Sequence, residues 1–222
     1  PLMLGCAMSQ TIVATTSVTY NLVSSDYSSL TAFVVIDGVL HKLLGMRGSM
    51  KGKMSAKGTP LLSFSYDACF VAPVDGANPT VSRAGWMIEE GINSKNTGPA
   101  VINSIATAFS NFEWDLGVKT SRNDLPGPQR EVGISTRTAT ASATILAPGS
   151  LAVFNPFDLV DSGINIPLSV THGSAAGKKT KIDVRAVVTG ADYDNIDGQL
   201  AYKLTMDLLP VAGNDEFSLT NL

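Results

Sequence analysis

The segment Leu200-Ala201-Tyr202-Lys203-Leu204-Thr205-Met206-Asp207-Leu208 alternates apolar and polar side chains without a break. A period of two is typical of a β-strand that buries one face and exposes the other. Residues 12–22, 62–71 and 112–119 alternate in the same way. Four such segments in one chain predict an all-β protein.

Turn sequences separate the strand-like segments. Asp37-Gly38 lies between apolar runs at residues 30–36 and 39–44, and Asp197-Gly198 precedes the strand at Leu200. An Asp-Gly pair supplies the positive φ angles of a two-residue hairpin turn, so both sites predict hairpins. Lys57-Gly58-Thr59-Pro60 predicts a further reversal, after which Pro60 opens the next strand.

One short helix is predicted after residue 154. Asn155 can cap its first turn, Pro156 suits the first helical position, and Gly163 can end it. Phe157, Leu159 and Val160 would supply its apolar side.

Other stretches predict connections or an unusual strand. Residues 73–99 are rich in Gly and Pro and predict a long connection, in which residues 86–88 could pack against the rest of the domain. Residues 121–133 predict an irregular, projecting excursion. Residues 134–146 carry small side chains on both faces and predict one long strand. We therefore expect a single domain over residues 1–222, an all-β sandwich or barrel with one short helix.

Composition excludes several classes of protein. Of 222 residues, 44% are hydrophobic and 16% are charged, which is enough for a packed core and excludes disorder. A net charge of −3 supplies no overall positive field to hold nucleic acid. No apolar run reaches a membrane span and no basic signal region opens the chain, so we expect a soluble protein that is not secreted. The low charge favours a surface that is partly buried against copies of itself.

The residues offer little chemistry. His41 and His172 each lack a second ligand at metal spacing. Residues 173–180 resemble a phosphate loop, but the spacing is one residue short and Lys179 replaces the hydroxyl residue. Residues 192–198 fail as a calcium loop because Ile196 and Lys203 occupy ligand positions. We predict no catalytic, cofactor-binding or metal-binding residues.

Two further features concern the ends of the chain and its thiols. The chain begins with Pro1, so either an initiator Met was removed or sequence is missing upstream. Cys6 and Cys69 could form at most one disulfide, and two buried thiols are the favoured interpretation.

Charges are segregated along the chain. Residues 38–66 contain five basic residues and no acid, whereas residues 183–216 contain seven acids against Arg185 and Lys203. Opposite charges on two parts of one subunit favour head-to-tail self-association.

The order of these segments resembles the tail tube proteins of long-tailed, siphovirus-type bacteriophages and prophages. The resemblance is carried by residues 30–66, with Phe33, Asp37-Gly38-Val39-Leu40-His41-Lys42-Leu43 and Arg47-Gly48, by residues 112–146, and by residues 197–219. It implies a virion tail component assembled in the host cytoplasm, in which inner strands of six subunits join in a ring. Stacked rings would form a conduit through which DNA passes without specific binding, in contact with other tail proteins and with no membrane.

Candidate residues for these roles fall into two sets. The expected contacts between subunits or rings are Arg47, Lys51, Lys53, Asp124, Arg130, Asp215 and Glu216. The expected lumen residues are Glu113, Asp115, Lys203 and Asp207, because a conduit with a near-neutral or acidic lining does not hold phosphates. Two rival hypotheses are a carbohydrate-binding or adhesin-like module using Trp86, Trp114 and Tyr193, and a hydrolase using His41 or His172.

Overall fold

The computed structural model of the protein describes residues 1–85, 88–127 and 130–222. After a 3-10 turn at Leu2–Gly5, the elements are β1 (Met8–Val13), β2 (Ser17–Leu22), β3 (Leu30–Ile36), β4 (Val39–Ser55), β5 (Leu61–Cys69), β6 (Val74–Asp75), β7 (Ala100–Ile102), β8 (Ile105–Thr107), β9 (Phe109–Asp115), β10 (Val118–Asp124), β11 (Arg130–Arg137), β12 (Thr140–Leu146), α1 (Pro156–Ser162), β13 (Asn165–His172), β14 (Thr180–Ile196), β15 (Gln199–Leu208) and β16 (Phe217–Asn221). The prediction of an all-β protein with one short helix is confirmed.

Fourteen of the described strands form one large sheet that folds over on itself, and β10 and β11 form a separate two-stranded sheet. Its main path runs β1-β2-β16-β14-β15-β12-β9-β4-β3, with β5 and β6 added to β4 and with β13, β7 and β8 added beside β14. Trp114 of β9 and Phe217 of β16 lie far apart along this path, yet their ring centroids are 6.1 Å apart. The two halves of the sheet therefore pack face to face around a common core.

The core is built from the alternate residues of each strand. In β15 the side chains of Tyr202, Leu204, Met206 and Leu208 are buried, as the alternation predicts. β4 contributes three buried methionines, and β12 contributes small residues and Ile145: the buried set is Met46, Met50, Met54, Ala141, Ala143 and Ile145. Large and small side chains on neighbouring strands thus fill the core together.

The local turn signals form the structures that they predict. Asp37 and Gly38 have φ angles of 47° and 81°, and Ile36 pairs with Val39 across the turn. The Asp197-Gly198 turn is built in the same way between β14 and β15. Asn155 accepts hydrogen bonds from the backbone N–H groups at positions 157 and 158, and Gly163 ends α1 in the left-handed region, as predicted for the helix.

Three strand predictions are wrong in their boundaries. Residues 12–22 form the β1–β2 hairpin, whose turn at positions 14–16 contains Thr15 with a φ of 58°. Residues 112–119 divide at Gly117, which has a φ of 58°. Residues 134–146 divide at positions 138–139, because β11 pairs with β10 whereas β12 pairs with β9 and β15. The second reversal also differs slightly, since β5 begins at Leu61, one residue after Pro60.

The two excursions have different structures. Residues 121–133 were expected to be irregular, but β10 and β11 pair along their length in a projecting hairpin. Between positions 73 and 99 the described residues contain only β6 and a bridge from Thr97 to His172. Residues 86–88 are predicted to attach this connection to the rest of the domain. Trp86 and Met87 lie outside the described residues, and Ile88 is 95% exposed, so Ile88 does not attach it.

The two cysteines are free thiols in different environments. Cys6 is buried and Cys69 is half-buried, so the interpretation of two buried thiols holds for Cys6 only. Tyr66 lies beside Cys6, with 3.6 Å between the thiol sulfur and the phenol oxygen.

Candidate functional site

The outward side of β4, β9, β12 and β15 forms one continuous polar surface, which we call the polar face. The strand register places Lys51 beside Asp115, then Thr140, then Asp207, in one row across four strands. Residues directly opposite one another in a sheet share a face. The neighbouring rows add Lys53, Glu113, Ser142 and Thr205, and then Asn111, Thr144 and Lys203.

All four expected lumen residues lie on the polar face, together with two residues expected to make ring contacts. The face carries the lysines Lys51, Lys53 and Lys203 and the carboxylates Glu113, Asp115 and Asp207. In β14, Asp192 lies opposite Lys203 and adds one further acid at the margin. The charge balance of this surface is therefore close to neutral.

Charges on the polar face are paired across the strands. Lys51 Nζ lies 2.8 Å from Asp115 Oδ2, and Lys53 Nζ lies 2.7 Å from Glu113 Oε1. Hydrogen bonds from Lys53 and then from Asn111 lower the pKa of Glu113, and the charges of Lys53 and Lys203 add to this effect. The hydrogen bond to Asp115 raises the pKa of Lys51. Exposed pairs of this kind stabilise a fold little, so their main effect is to neutralise the lysines.

Arg47 and Glu216, two expected contact residues, make internal bonds. The guanidinium of Arg47 donates to the carbonyl oxygen of Val132 at 2.7 Å and to that of Tyr27 at 2.9 Å. Glu216 is buried and forms an ion pair with Arg137, while its Oε2 atom has no hydrogen-bond partner among the described residues. These side chains tie elements of one subunit together, and their roles between subunits stay predictions.

Three other expected contact residues lie at exposed turns. Asp124 and Arg130 face each other at the tip of the β10–β11 hairpin, with 3.1 Å between Oδ1 and Nε. Asp215 accepts hydrogen bonds from the N–H groups of Val211 and Ala212 at 2.8 and 3.1 Å. These three residues are therefore held by contacts within their own turns, and their function in contacts between rings stays a prediction.

The sheet has edges without strand partners. Within the described part of the chain, β1, β3 and β5 each pair on one side only, and β14 beyond residue 188 pairs only with β15. Large apolar side chains are exposed on or beside these edges, among them Phe33 (63%), Leu61 (59%) and Phe70 (63%). Unpaired backbone groups and exposed apolar side chains together favour association with another chain.

The residues of the rival hypotheses are dispersed. Trp114 is 4% exposed in the core, Tyr193 is 66% exposed beside Phe157, and Trp86 lies outside the described residues. His172 Nδ1 lies 2.8 Å from the Thr97 hydroxyl, whereas His41 lies in the β3–β4 hairpin opposite Val34. The described members of the sugar platform therefore lie apart, and the two histidines lie on separate elements, so the hydrolase hypothesis depends on one of them alone.

Metal clusters and membrane-spanning helices are both absent from the described residues. No group of three His, Cys, Asp or Glu side chains in the described ranges could hold a metal ion. The described residues also contain no helix with the length and apolar character needed to cross a membrane.

Comparison with known proteins shows a likeness to solved structures but not to a family model or a curated protein. No family model matches the chain, and no curated protein matches it. Among solved structures, a chain from the hybrid solid-state NMR and cryo-EM structure of the SPP1 tail tube is 14% identical, with a TM-score of 0.38. The match covers 59% of this chain and 78% of that chain. At this identity and TM-score, the likeness assigns no function to this protein.

Proposed function

We propose that this chain is the structural subunit of a phage tail tube and that its polar face lines a conduit for DNA. The observation that carries the proposal is the polar face itself, a surface several strands wide on which Lys51 and Lys53 are paired with carboxylates and whose reverse side is a packed apolar core. A tube wall needs one face for the channel and open margins for neighbouring subunits, and the sheet supplies both.

Unpaired edges at the two sides of the polar face support closure into a ring. One side ends at β5, and the other ends at the distal half of β14, residues 188–196. Joining β5 of one copy to β14 of the next would satisfy the backbone groups of both edges. The sequence resemblance implies six subunits in such a ring.

Charge complementarity supports the same seam. The distal half of β14 carries Asp192 and Asp194, and Lys51 and Lys53 lie on β4 beside β5. Because Lys51 and Lys53 already form ion pairs within their own subunit, a ring seam between these strands would place the acidic edge of one copy beside two ion pairs of the next, whose lysines Asp192 and Asp194 could share. Complementary charge of this kind favours one docking orientation over others.

The pairing of lysines suits a channel for DNA. Affinity for DNA comes largely from cationic groups that replace the counterions of phosphates. Lys51 and Lys53 already have carboxylate partners within 2.8 Å, so a passing phosphate must compete with a bound carboxylate. The polar face can therefore contact DNA without retaining it, and we expect weak, salt-sensitive and sequence-independent binding.

Electron microscopy and native mass spectrometry of the purified full chain test this proposal. We expect rings or tubes with a central channel. Asp192→Lys with Asp194→Lys should reduce ring formation, whereas Glu89→Lys with Glu90→Lys makes the same charge change at exposed positions outside the strands and should not. A protein that stays monomeric at high concentration, from a virion without tubes, contradicts the proposal.

A further inference from the structure

The hairpin formed by β3 and the start of β4, residues 30–44, has an unusually apolar tip. Ile36 and Val39 flank the turn, and Val34 lies on the same face one pair further back. Their side chains are 61%, 37% and 42% exposed. We call this hairpin the arm and these three residues its tip. Adjoining exposed apolar side chains at a projecting turn are typical of an interaction surface.

A mostly apolar groove lies at the other end of β4. It has a volume of about 560 Å³, and its lining combines apolar residues with polar ones: Ala56, Ile92, Pro99, Ala108 and Phe109 with Lys57, Asn93, Ser94 and Thr97. This volume falls within the range of clefts that receive side chains or small ligands in proteins. The groove and the tip therefore have matching polarity, and one strand separates them.

Backbone hydrogen bonds fix the walls of the groove. Lys57 N–H donates to the Ile92 carbonyl oxygen at 3.0 Å, and Ile92 N–H donates to that of Gly58 at 2.7 Å. The next turn is held by Gly173, whose N–H donates to the Asn96 carbonyl oxygen at 2.7 Å. Because these bonds exist in the single subunit, the groove is formed before any partner binds.

The length of β4 prevents the arm from filling its own groove. The strand runs for 17 residues, from Val39 beside the tip to Ser55 beside the groove. Gly45 has a φ of 61° and the ladders on β4 shift register beside it, so the regular stretch runs from Arg47 to Ser55. At about 3.3 Å per residue, this stretch alone places the arm roughly 26 Å or more from the groove. An arm that enters a groove must therefore belong to another copy. Contacts of this heterologous kind repeat from copy to copy and form an open chain.

Charge at the two ends is also complementary. Asp37 lies in the turn of the arm, and Asp75 of β6 lies opposite Val39. Lys57 lines the groove, and Lys95 lies in the adjacent turn. Glu89 and Glu90 precede the groove in sequence but do not line it. An inserted tip would thus place two carboxylates beside the basic rim.

We propose that the tip of one copy inserts into the groove of the next copy and joins them head to tail. The inference rests on the proposed tube for its setting, in which it supplies the contact between successive rings. It differs from the seam between β5 and β14, because neither the tip nor the groove lies on the polar face.

Disulfide trapping tests the contact directly. In the full chain carrying Cys69→Ser, Ile36→Cys is combined with Ala108→Cys and exposed to a mild oxidant. We expect a ladder of disulfide-linked dimers, trimers and longer species. The matched control pairs Ala108→Cys with Val81→Cys, since Val81 is also apolar and 74% exposed. The inference would be overturned by a ladder no more intense than that of the control. It would also be overturned if the disulfide formed within one chain or if only dimers appeared.

Charge and polarity variants provide a second test by electron microscopy. Ile36→Lys should shorten assemblies at least tenfold, while Val81→Lys should leave their length unchanged. Lys57→Asp should also shorten them, and adding Asp75→Lys should restore length. Unchanged tube length with Ile36→Lys would overturn the arm contact and leave the tube intact. A disulfide ladder from a protein that forms no channel would instead retain the contact and contradict the proposed function.

Discussion

Gly52 provides the sharpest test of the packing that supports the polar face. A Cβ atom at this position would lie 1.9 to 2.4 Å from three atoms of the Trp114 indole, whereas ordinary contact begins at 3.4 Å. The ring would have to retreat by about 1.5 Å to restore normal contact. Trp114 is 4% exposed, and the rings of Phe112 and Phe217 lie 5.4 and 6.1 Å from it. The core therefore leaves the indole little room to move.

Gly52→Ala should consequently destabilise the protein. Overpacking of a filled core typically costs about 1–3 kcal/mol, and a chain of this size loses about 2–4 °C in Tm for each kcal/mol. Urea and thermal unfolding followed by far-UV circular dichroism would measure the change. Gly149→Ala is the matched control, because a Cβ there meets no atom within 4 Å. We expect its free energy of unfolding to change by less than about 0.5 kcal/mol.

A double-mutant cycle identifies the cause of the loss. Trp114→Phe removes the part of the side chain that the new methyl group would strike, so Gly52→Ala should cost less in that background than in the natural chain. Equal costs in both backgrounds, or a Gly52→Ala variant as stable as the Gly149→Ala control, would refute the close contact between Gly52 and the indole.

Three further predictions concern buried and paired groups. Glu216→Ala should lower the free energy of unfolding by about 1.5–3 kcal/mol, measured by urea unfolding, because the half-buried guanidinium of Arg137 loses its charged partner and keeps only its bonds to Val23 and Asn214. The pKa of Glu113 in the folded protein is lower than in the unfolded chain. The stabilisation from its ion pair with Lys53 is therefore complete above the pKa of the unfolded chain and is lost as the pH falls through the pKa of the folded protein. Lys53→Met should raise the pKa of Glu113 in the folded protein, as measured by an NMR titration. Burial raises the pKa of the Cys6 thiol, so iodoacetamide should modify Cys69 first in the folded protein, and equal rates would contradict this.

Local sequence signals were sufficient for part of the fold. Asp37-Gly38 and Asp197-Gly198 form hairpins because the required φ angles are a property of the turn residues themselves. Asn155 and Gly163 delimit α1 because capping involves only neighbouring backbone groups. The alternation in β15 also predicts its buried face, since the period of the strand determines which side chains point inward.

The wrong boundaries have a common physical cause. The β1–β2 turn places Thr15 in the left-handed region of φ, yet the turn contains no Gly or Asn that would predict it. The alternation of apolar residues also continues through the turn. The division between β11 and β12 is decided by their different pairing partners. Pairing is a tertiary property, so a single-strand pattern cannot reveal where one partner replaces another.

The candidate surfaces show the same limit. Alternation predicts that Glu113 and Asp115 share a face, but only the pairing of β9 with β4 brings Lys53 and Lys51 beside them. The groove unites segments around positions 56, 92–99 and 108 that carry no common motif. Its apolar lining becomes visible only after the chain has folded.

One strand connects the two proposed modes of association. β4 begins at the arm, carries Lys51 and Lys53 on the polar face, and ends at the groove. The seam uses the lateral edges of the sheet, whereas the arm contact uses the two ends of this strand. A variant of the tip should therefore yield rings that fail to stack, and a variant of the seam should yield head-to-tail chains that fail to close. Rings that fail to stack and chains that fail to close are expected as separate defects only if the seam and the arm contact use different surfaces of the subunit.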